Sequence, residues 1–215
     1  AVQLGAVCGA VPGVVRTGSP QVTGTPDLSV VVVSYRCREH VLALLGDLAA
    51  ARDECAIEVI LVDNASGDGT VESVHMHHPW VMVRAQATNL GFSRANNIGL
   101  ADARAPIVAL LNPDTRVTAT ALRACVEEVA RRPDVGVLTP RVVDQSGTFD
   151  RRCMRGFPTL WSTTCHVTGL DRLLRDRRSR RYTQGWLPLD QAADVEAVSG
   201  AVMFCRADAL STTGG

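Results

Sequence analysis

The sequence predicts an α/β domain in which a mostly parallel sheet is sandwiched by helices. Three observations point there. The run Leu28-Ser-Val-Val-Val-Val-Ser-Tyr35 is almost wholly β-branched, the composition of a strand buried on both faces. Strand patterns then alternate with helix-period segments as far as Thr139, which implies βαβ units. Two of the strand patterns, Val59-Ile-Leu-Val-Asp63 and Ile107-Val-Ala-Leu-Leu-Asn-Pro-Asp114, run straight into a carboxylate, and open α/β sheets bind ligands at the carboxyl ends of their strands.

Each element has a local reason. Residues 1–27 are rich in Gly, Val, Pro and Thr, carry Arg16 alone in their first 26 residues, and show no sustained periodicity. They read as a disordered leader or an upstream fragment before a domain at 28–215. A secretory signal would need a basic start and an unbroken apolar core. After the first strand, residues 38–52 place Val41, Leu42, Leu44, Leu45 and Leu48 on one side of a helix. A second strand is expected at 57–62, followed by the turn-rich Asp63-Asn-Ala-Ser-Gly-Asp-Gly69. A helix should begin near Thr70, with Thr70 or Asp68 as its cap and Glu72 in its first turn. Further strands are expected at 81–84, 107–111 and 135–139, and helices at 93–103 and 119–131. Past Pro140 the regularity fades, and 195–205 is one more apolar segment, interrupted at Ser199-Gly200.

Composition bounds the function. The chain has 215 residues, formal net charge zero and no Lys, so nothing global points to nucleic acid. No run approaches the ~20 apolar residues of a membrane-spanning helix. The seven Cys are scattered without a C-x-x-C pair, the pattern of reduced, mostly buried thiols in a cytosolic protein rather than of a disulfide framework or zinc site. His75-Met-His77-His78 reads as the polar end of a short helix, because nothing nearby completes a ligand set. Residues 150–181 carry nine Arg against three Asp, with Trp161, Leu170, Leu173 and Leu174 interleaved. This stretch is either a solvated helical surface or a contact with anionic lipid headgroups or a lipid-diphosphate acceptor.

Neither G-x-G-x-x-G nor a G-x-x-x-x-G-K-[ST] phosphate loop is present. Phosphates would then be managed by a divalent metal on a carboxylate, since Mg2+ binds through one or two carboxylates plus substrate phosphates. Asn96 and Asn97, adjacent in an early helical turn, are poor helix formers, a placement that suggests function, with a simple polar cap as the alternative. An Asx-Pro turn ending a strand is the plain alternative for Asn112-Pro-Asp114.

The series Ser29-Val-Val-Val-Val-Ser-Tyr35, Val62-Asp-Asn-Ala-Ser-Gly-Asp-Gly69, Asn89-Leu-Gly-Phe-Ser-Arg-Ala-Asn-Asn-Ile-Gly99 and Leu111-Asn-Pro-Asp-Thr115 resembles glycosyltransferase family 2, in its rhamnosyltransferase-like branch. Val198-Ser-Gly-Ala201, Arg206-Ala-Asp-Ala-Leu210 and Gly214-Gly215 match the later part of that pattern. The resemblance implies a GT-A (Rossmann-like) fold and an inverting, metal-dependent transfer of a sugar from a nucleoside-diphosphate sugar. The donor it favours is dTDP-rhamnose, and the acceptor a hydroxyl of a bacterial cell-surface glycan or lipid-linked acceptor. It implies that Asp63, beside Asn64, accepts the N3–H of uracil or thymine, while Ser34, Tyr35 and Arg36 border base and ribose. Gly91, Asn96 and Asn97 would wall the sugar and diphosphate. Asp114, aided by Asn112, would hold Mg2+ or Mn2+, and Ser199, Gly200 and Ala201 would line the acceptor side. The family's general base is expected beyond Gly215; Asp194 and Glu196 do not match its motif. The cysteine usage implies a cytoplasmic protein, and the lipid reading of the Arg-rich stretch would place it peripherally on the inner face of the plasma membrane.

Two rivals come from other classes. A sugar-1-phosphate nucleotidyltransferase shares a similar sheet but calls for a Gly-rich basic loop after the first strand, and Ser34-Tyr-Arg-Cys37 is not one. A non-catalytic nucleotide-sugar-binding remnant would keep the donor site without turnover.

Overall fold

The computed structural model describes residues 2–4, 24–144, 146–150, 153–174, 176–184, 186–187 and 191–213. In chain order the elements are β1 (Val2–Leu4), β2 (Leu28–Ser34), α1 (Arg38–Ala51), β3 (Ile57–Asp63), α2 (Thr70–His77), β4 (Met82–Ala85), α3 (Phe92–Asp102), β5 (Ile107–Leu111), β6 (Thr115–Arg116), α4 (Ala119–Arg131), β7 (Val137–Leu138), β8 (Val142–Val143), β9 (Met154–Arg155), α5 (Leu160–Thr168), α6 (Leu170–Leu174), β10 (Ala197–Val198), β11 (Val202–Arg206) and α7 (Ala207–Thr213). The central sheet has the spatial order β4-β3-β2-β5-β11-β7. β4, β3, β2 and β5 run parallel.

The two-residue period of β2 divides the core. Val30 and Val32 point into the cluster holding Leu44, Leu45 and Leu48 of α1 and Leu122 and Val129 of α4. Val31 points the other way, onto Ala95 of α3 with Ile60, Val62, Val108 and Leu110. All these side chains are buried, so the β-branched run covers both faces as its composition predicts. The expected apolar side of α1 is also the buried one, with Leu42 at its flank.

α3 lies unusually close to the sheet. A Cβ on Gly99 would stand 2.4 Å from Cγ1 of Val31 and 3.3 Å from a methyl of Val62. Gly99→Ala should therefore cost about 1–3 kcal/mol, the usual range for overpacking, read as a lower midpoint in urea unfolding with unchanged slope. A midpoint equal to that of the parent would show that α3 shifts freely.

The amino ends of the strands are clamped by polar groups. Glu58 accepts bonds from the Ser29 hydroxyl and from Arg104, whose Nε lies 2.8 Å from Oε2. Burial raises the Glu58 carboxyl, but the Ser29 hydroxyl and the Arg104 amide and guanidinium together hold it below the ordinary carboxylate range. The Ser29 oxygen also receives the Ala105 amide at 2.9 Å.

One expectation is corrected, and two other segments gain detail. The strand expected at 135–139 is only Val137–Leu138 and reaches the sheet through β11, which runs antiparallel to both β5 and β7. A local pattern cannot show that a later strand will occupy the place beside β5. The apolar segment at 195–205 is two strands, β10 paired with β9 and β11 in the main sheet, parted at 199–201. Within the segment expected as a leader, Val2–Leu4 lies as a strand between β6 and β8; residues 5–23 fall outside those described, as do Gly214 and Gly215 of the matched pattern. None of the six described cysteines forms a disulfide among the described residues, and four of them are buried. His75 and His77 sit in the last turn of α2, and no group of three or more His, Cys, Asp or Glu that could hold a metal ion occurs among the described residues.

Candidate active site

The chain steps from β2 to β3 to β4 on one side, then returns through α3 to β5 on the other side of β2. Strand order therefore reverses between β2 and β5, and a crevice opens at the carboxyl ends of strands at such a point. Ser34 to Cys37 leave β2 there, Asp63 leaves β3, and Asn112 to Asp114 leave β5.

Asp63 is a junction. It is 4 % exposed. Its Oδ1 accepts the Ser34 hydroxyl at 2.9 Å and its Oδ2 the Ser66 amide at 3.1 Å. A carboxylate offers about four acceptor positions, so each oxygen keeps one lone pair. Ser34 is fully buried and orients Asp63 instead of standing as a wall of its own. Ser66 completes the clamp, because its Oγ receives the Arg36 amide at 3.1 Å.

The loops on either side of this clamp carry backbone that ordinary residues seldom adopt. Arg36 has φ of 52° and Ala65 of 63°, in the left-handed region that is uncommon for non-glycine residues. Such conformations persist where surrounding bonds over-determine them, and they cluster at functional sites. Tyr35 is 44 % exposed, with the Arg36 guanidinium 5.2 Å from its ring centroid.

Asp68 ties the next layer together. Its carboxylate accepts the Arg38 amide, the Thr70 amide and the Thr70 hydroxyl, and so caps the start of α2 from one residue before Gly69. Burial pushes its carboxyl up, yet the Thr70 hydroxyl and these amides bring it below the ordinary range. Arg36, Cys37, Arg38, Glu39, His40 and Asp68 line a cavity of about 330 Å³ at this mouth.

A second wall comes from 89–92. Asn64, also buried, donates to Asn89 Oδ1 at 2.8 Å and accepts the Leu90 amide at 2.8 Å, while Asn89 accepts the Gly91 amide at 2.9 Å. Gly91 has φ 79° and ψ 175°, a region essentially reserved for glycine. Asn96 is buried and its amide donates to the Phe92 carbonyl at 2.9 Å, so that donor is spent inside α3. Asn97 is exposed and lines a groove of about 370 Å³ with Leu100, Ala207 and Leu210.

On the other side of the crevice, the Thr115 amide donates to the Asn112 carbonyl at 3.0 Å, closing the turn that carries Asp114. Arg116 and the Val117 amide anchor the following strand to Asp47 of α1. Asp114 is exposed, and its carboxylate has no hydrogen-bond or ion-pair partner among the described residues. The Asn112 amide donates to the Ala201 carbonyl at 3.0 Å, and Gly200 faces the Phe92 ring. Ser199 to Ala201 thus bridge the Asp114 turn and the start of α3.

The electrostatics join these pieces. Burial raises the Cys37 thiol; a backbone bond at Tyr35 opposes this, and the charges of Asp68, Asp63 and Asp114 all raise it further. Three carboxylates therefore act on one atom at the mouth of the cavity. Arg36 and Arg38 line the same cavity, so the mouth carries charges of both signs. The unpartnered Asp114 carboxylate and the Asn112 side-chain oxygen, two residues apart on one turn, are hard-oxygen groups of the kind that bind Mg2+ or Mn2+ completed by phosphates.

Sequence reasoning missed Ser66, Asn89 and Cys37. Ser66 and Asn89 lie inside the quoted motifs, and spacing alone does not reveal that they clamp Asp63 and Gly91.

The family model "Glycosyl transferase family 2" matches residues 29–192. The chain is 28 % identical over 202 residues to N-acetylglucosaminyl-diphospho-decaprenol L-rhamnosyltransferase of Mycobacterium tuberculosis, covering 89 % of this chain and 65 % of that protein. It is 30 % identical over 109 residues to the succinoglycan biosynthesis protein ExoO of Rhizobium meliloti, covering 50 % of this chain and 31 % of the relative. Among solved structures it resembles the Pyrobaculum calidifontis mannosyltransferase PcManGT, in complex with GDP-Man and Mn2+, with a TM-score of 0.54 at 19 % identity over 90 % of this chain and 48 % of that one. The S. aureus TarS fragment gives 0.55 at 18 % identity over 87 % and 49 %. The chain spans just under two thirds of the rhamnosyltransferase and about half of each of these solved chains.

Proposed function

This chain belongs to glycosyl transferase family 2, and from that premise we propose that its crevice binds a nucleoside-diphosphate sugar for inverting transfer to an acceptor hydroxyl. The observation that carries the reading is that β3 and β5, the two neighbours of β2, deliver Asp63 and the Asp114 turn to the same carboxyl edge of the sheet where strand order reverses.

In this reading the spare lone pairs of Asp63 accept the N3–H of a uracil or thymine, and Tyr35 and Arg36 flank base and ribose. Gly91 lets the backbone approach the diphosphate closely. Asp114 and Asn112 would hold Mg2+ or Mn2+, whose charge would stabilise the departing nucleoside diphosphate. The acceptor enters past Ser199, Gly200 and Ala201, opposite the diphosphate. Its hydroxyl proton must pass to a base. Glu196 is not suited to that task, since Arg181 and the Phe157 amide already hold its carboxylate. The Mycobacterium tuberculosis relative supports rhamnose as the sugar and a lipid-linked glycan as the acceptor.

Calorimetric titration with dTDP, UDP and GDP, each with and without Mn2+, tests this reading. The pyrimidine diphosphates should bind, and the metal should tighten them. Absence of binding, or binding indifferent to metal, would overturn it.

A further inference from the structure

We propose that the face built from α5, α6 and the turns after them docks onto an anionic lipid surface. The argument starts from how these helices are seated. A helix of a water-soluble domain buries its apolar stripe and shows polar groups to solvent. α5 buries Ser162 and Cys165, and α6 buries Asp171. What they expose is Leu160, Trp161, Val167, Leu170, Leu173 and Leu174, with Leu160 at 93 % and Leu173 at 77 %. Phe157 and Trp186, which flank these helices in the chain, are exposed as well. Eight of the twelve exposed large hydrophobics among the described residues fall between 157 and 186, so the patch is concentrated rather than scattered.

Charge selects the occupant. The carboxylates of this region are turned inward or engaged: Asp171 is buried against His166, Asp176 receives the Ser179 amide, and Glu196 is held by Arg181. Arg172, Arg177 and Arg178 are exposed. Arg177 rests 5.9 Å from the centroid of the Trp186 ring, and the Arg178 guanidinium has no ion-pair or hydrogen-bond partner among the described residues. Exposed Leu and Trp beside exposed Arg suit an interface of acyl chain and anionic headgroup. No described helix is long and apolar enough to cross a membrane, so the contact is a surface one. It also has a direction, because β9, just before α5, pairs with β10, which runs into Ser199. The docking face and the acceptor side of the crevice therefore belong to one substructure. The inference stands on this surface alone and does not require the transfer reading.

Flotation with vesicles of phosphatidylcholine, alone or mixed with phosphatidylglycerol, tests it. The protein should float with the mixed vesicles only, and salt should weaken the association. The pairs Leu173→Ser with Leu174→Ser, and Arg177→Glu with Arg178→Glu, should each lower partitioning about tenfold or more. Both variants should keep the parent's melting temperature and dTDP affinity, which separates loss of docking from loss of fold. Absence of flotation, equal flotation on phosphatidylcholine, or flotation unchanged in both variants would overturn the proposal. So would a concentration-dependent dimer abolished by the leucine pair, which would assign the face to a second copy.

Discussion

Asp114→Ala is expected to lower sugar transfer by about a hundredfold or more while leaving thermal stability unchanged, since metal stabilisation of a leaving group is worth several kcal/mol. The two halves of this expectation have separate physical grounds. The side chain is exposed and makes no hydrogen bond or ion pair among the described residues, so removing it orphans nothing. Its turn is held by backbone, through the Thr115 amide on the Asn112 carbonyl, and by the Arg116–Asp47 pair. The loss should appear as abolished enhancement of dTDP binding by Mn2+, with metal-free binding retained. Calorimetry reads the first effect, turnover of a nucleoside-diphosphate sugar the second, and a thermal melt the control. Undiminished metal enhancement would remove Asp114 from the metal site.

Asp63→Ala should behave in the opposite way. It leaves two buried donors, the Ser34 hydroxyl and the Ser66 amide, without acceptors. At about 1–3 kcal/mol for each unsatisfied buried group, the variant should lose roughly 2–6 kcal/mol, or on the order of 4–24 °C in melting temperature for a chain of this size. The Ser66 loop should loosen, and with it the Arg36 backbone that Ser66 holds. Nucleotide affinity should fall in parallel, with or without metal. A variant as stable as the parent would show that the clamp contributes little. One that is destabilised but binds dTDP normally would leave Asp63 a purely architectural role. The contrast with Asp114 is diagnostic, because the proposed function gives Asp63 a structural and a ligand-binding role together and Asp114 a ligand-binding role alone.

Several features were legible beforehand. The β-branched run of β2, the apolar side of α1, and the strands ending at Asp63 and Leu111 were readable because backbone period and burial are local. Asp68 as a cap was readable for the same reason, although its carboxylate acts from one residue earlier than the residue that adjoins the helix. Ser34 and Asn96 were not, since a polar residue near a strand end reads alike whether it meets a ligand or a neighbouring side chain. The structure gives both an internal partner. The reversed seating of α5 and α6 was also hidden, because a pattern of Leu, Trp and Arg does not say which side the rest of the chain will cover.

What the sequence determined by itself is the alternation of strands and helices and the delivery of acidic residues to the strand ends, both consequences of chain geometry over a few residues. What only the tertiary structure decided is the order β4-β3-β2-β5-β11-β7, which brings Asp63 and Asp114 to one mouth, and the choice of which polar groups are spent inside the protein. Both depend on partners some tens of residues away. Burial makes every unmet hydrogen bond costly, so the packing of the whole sheet assigns each side chain its partner.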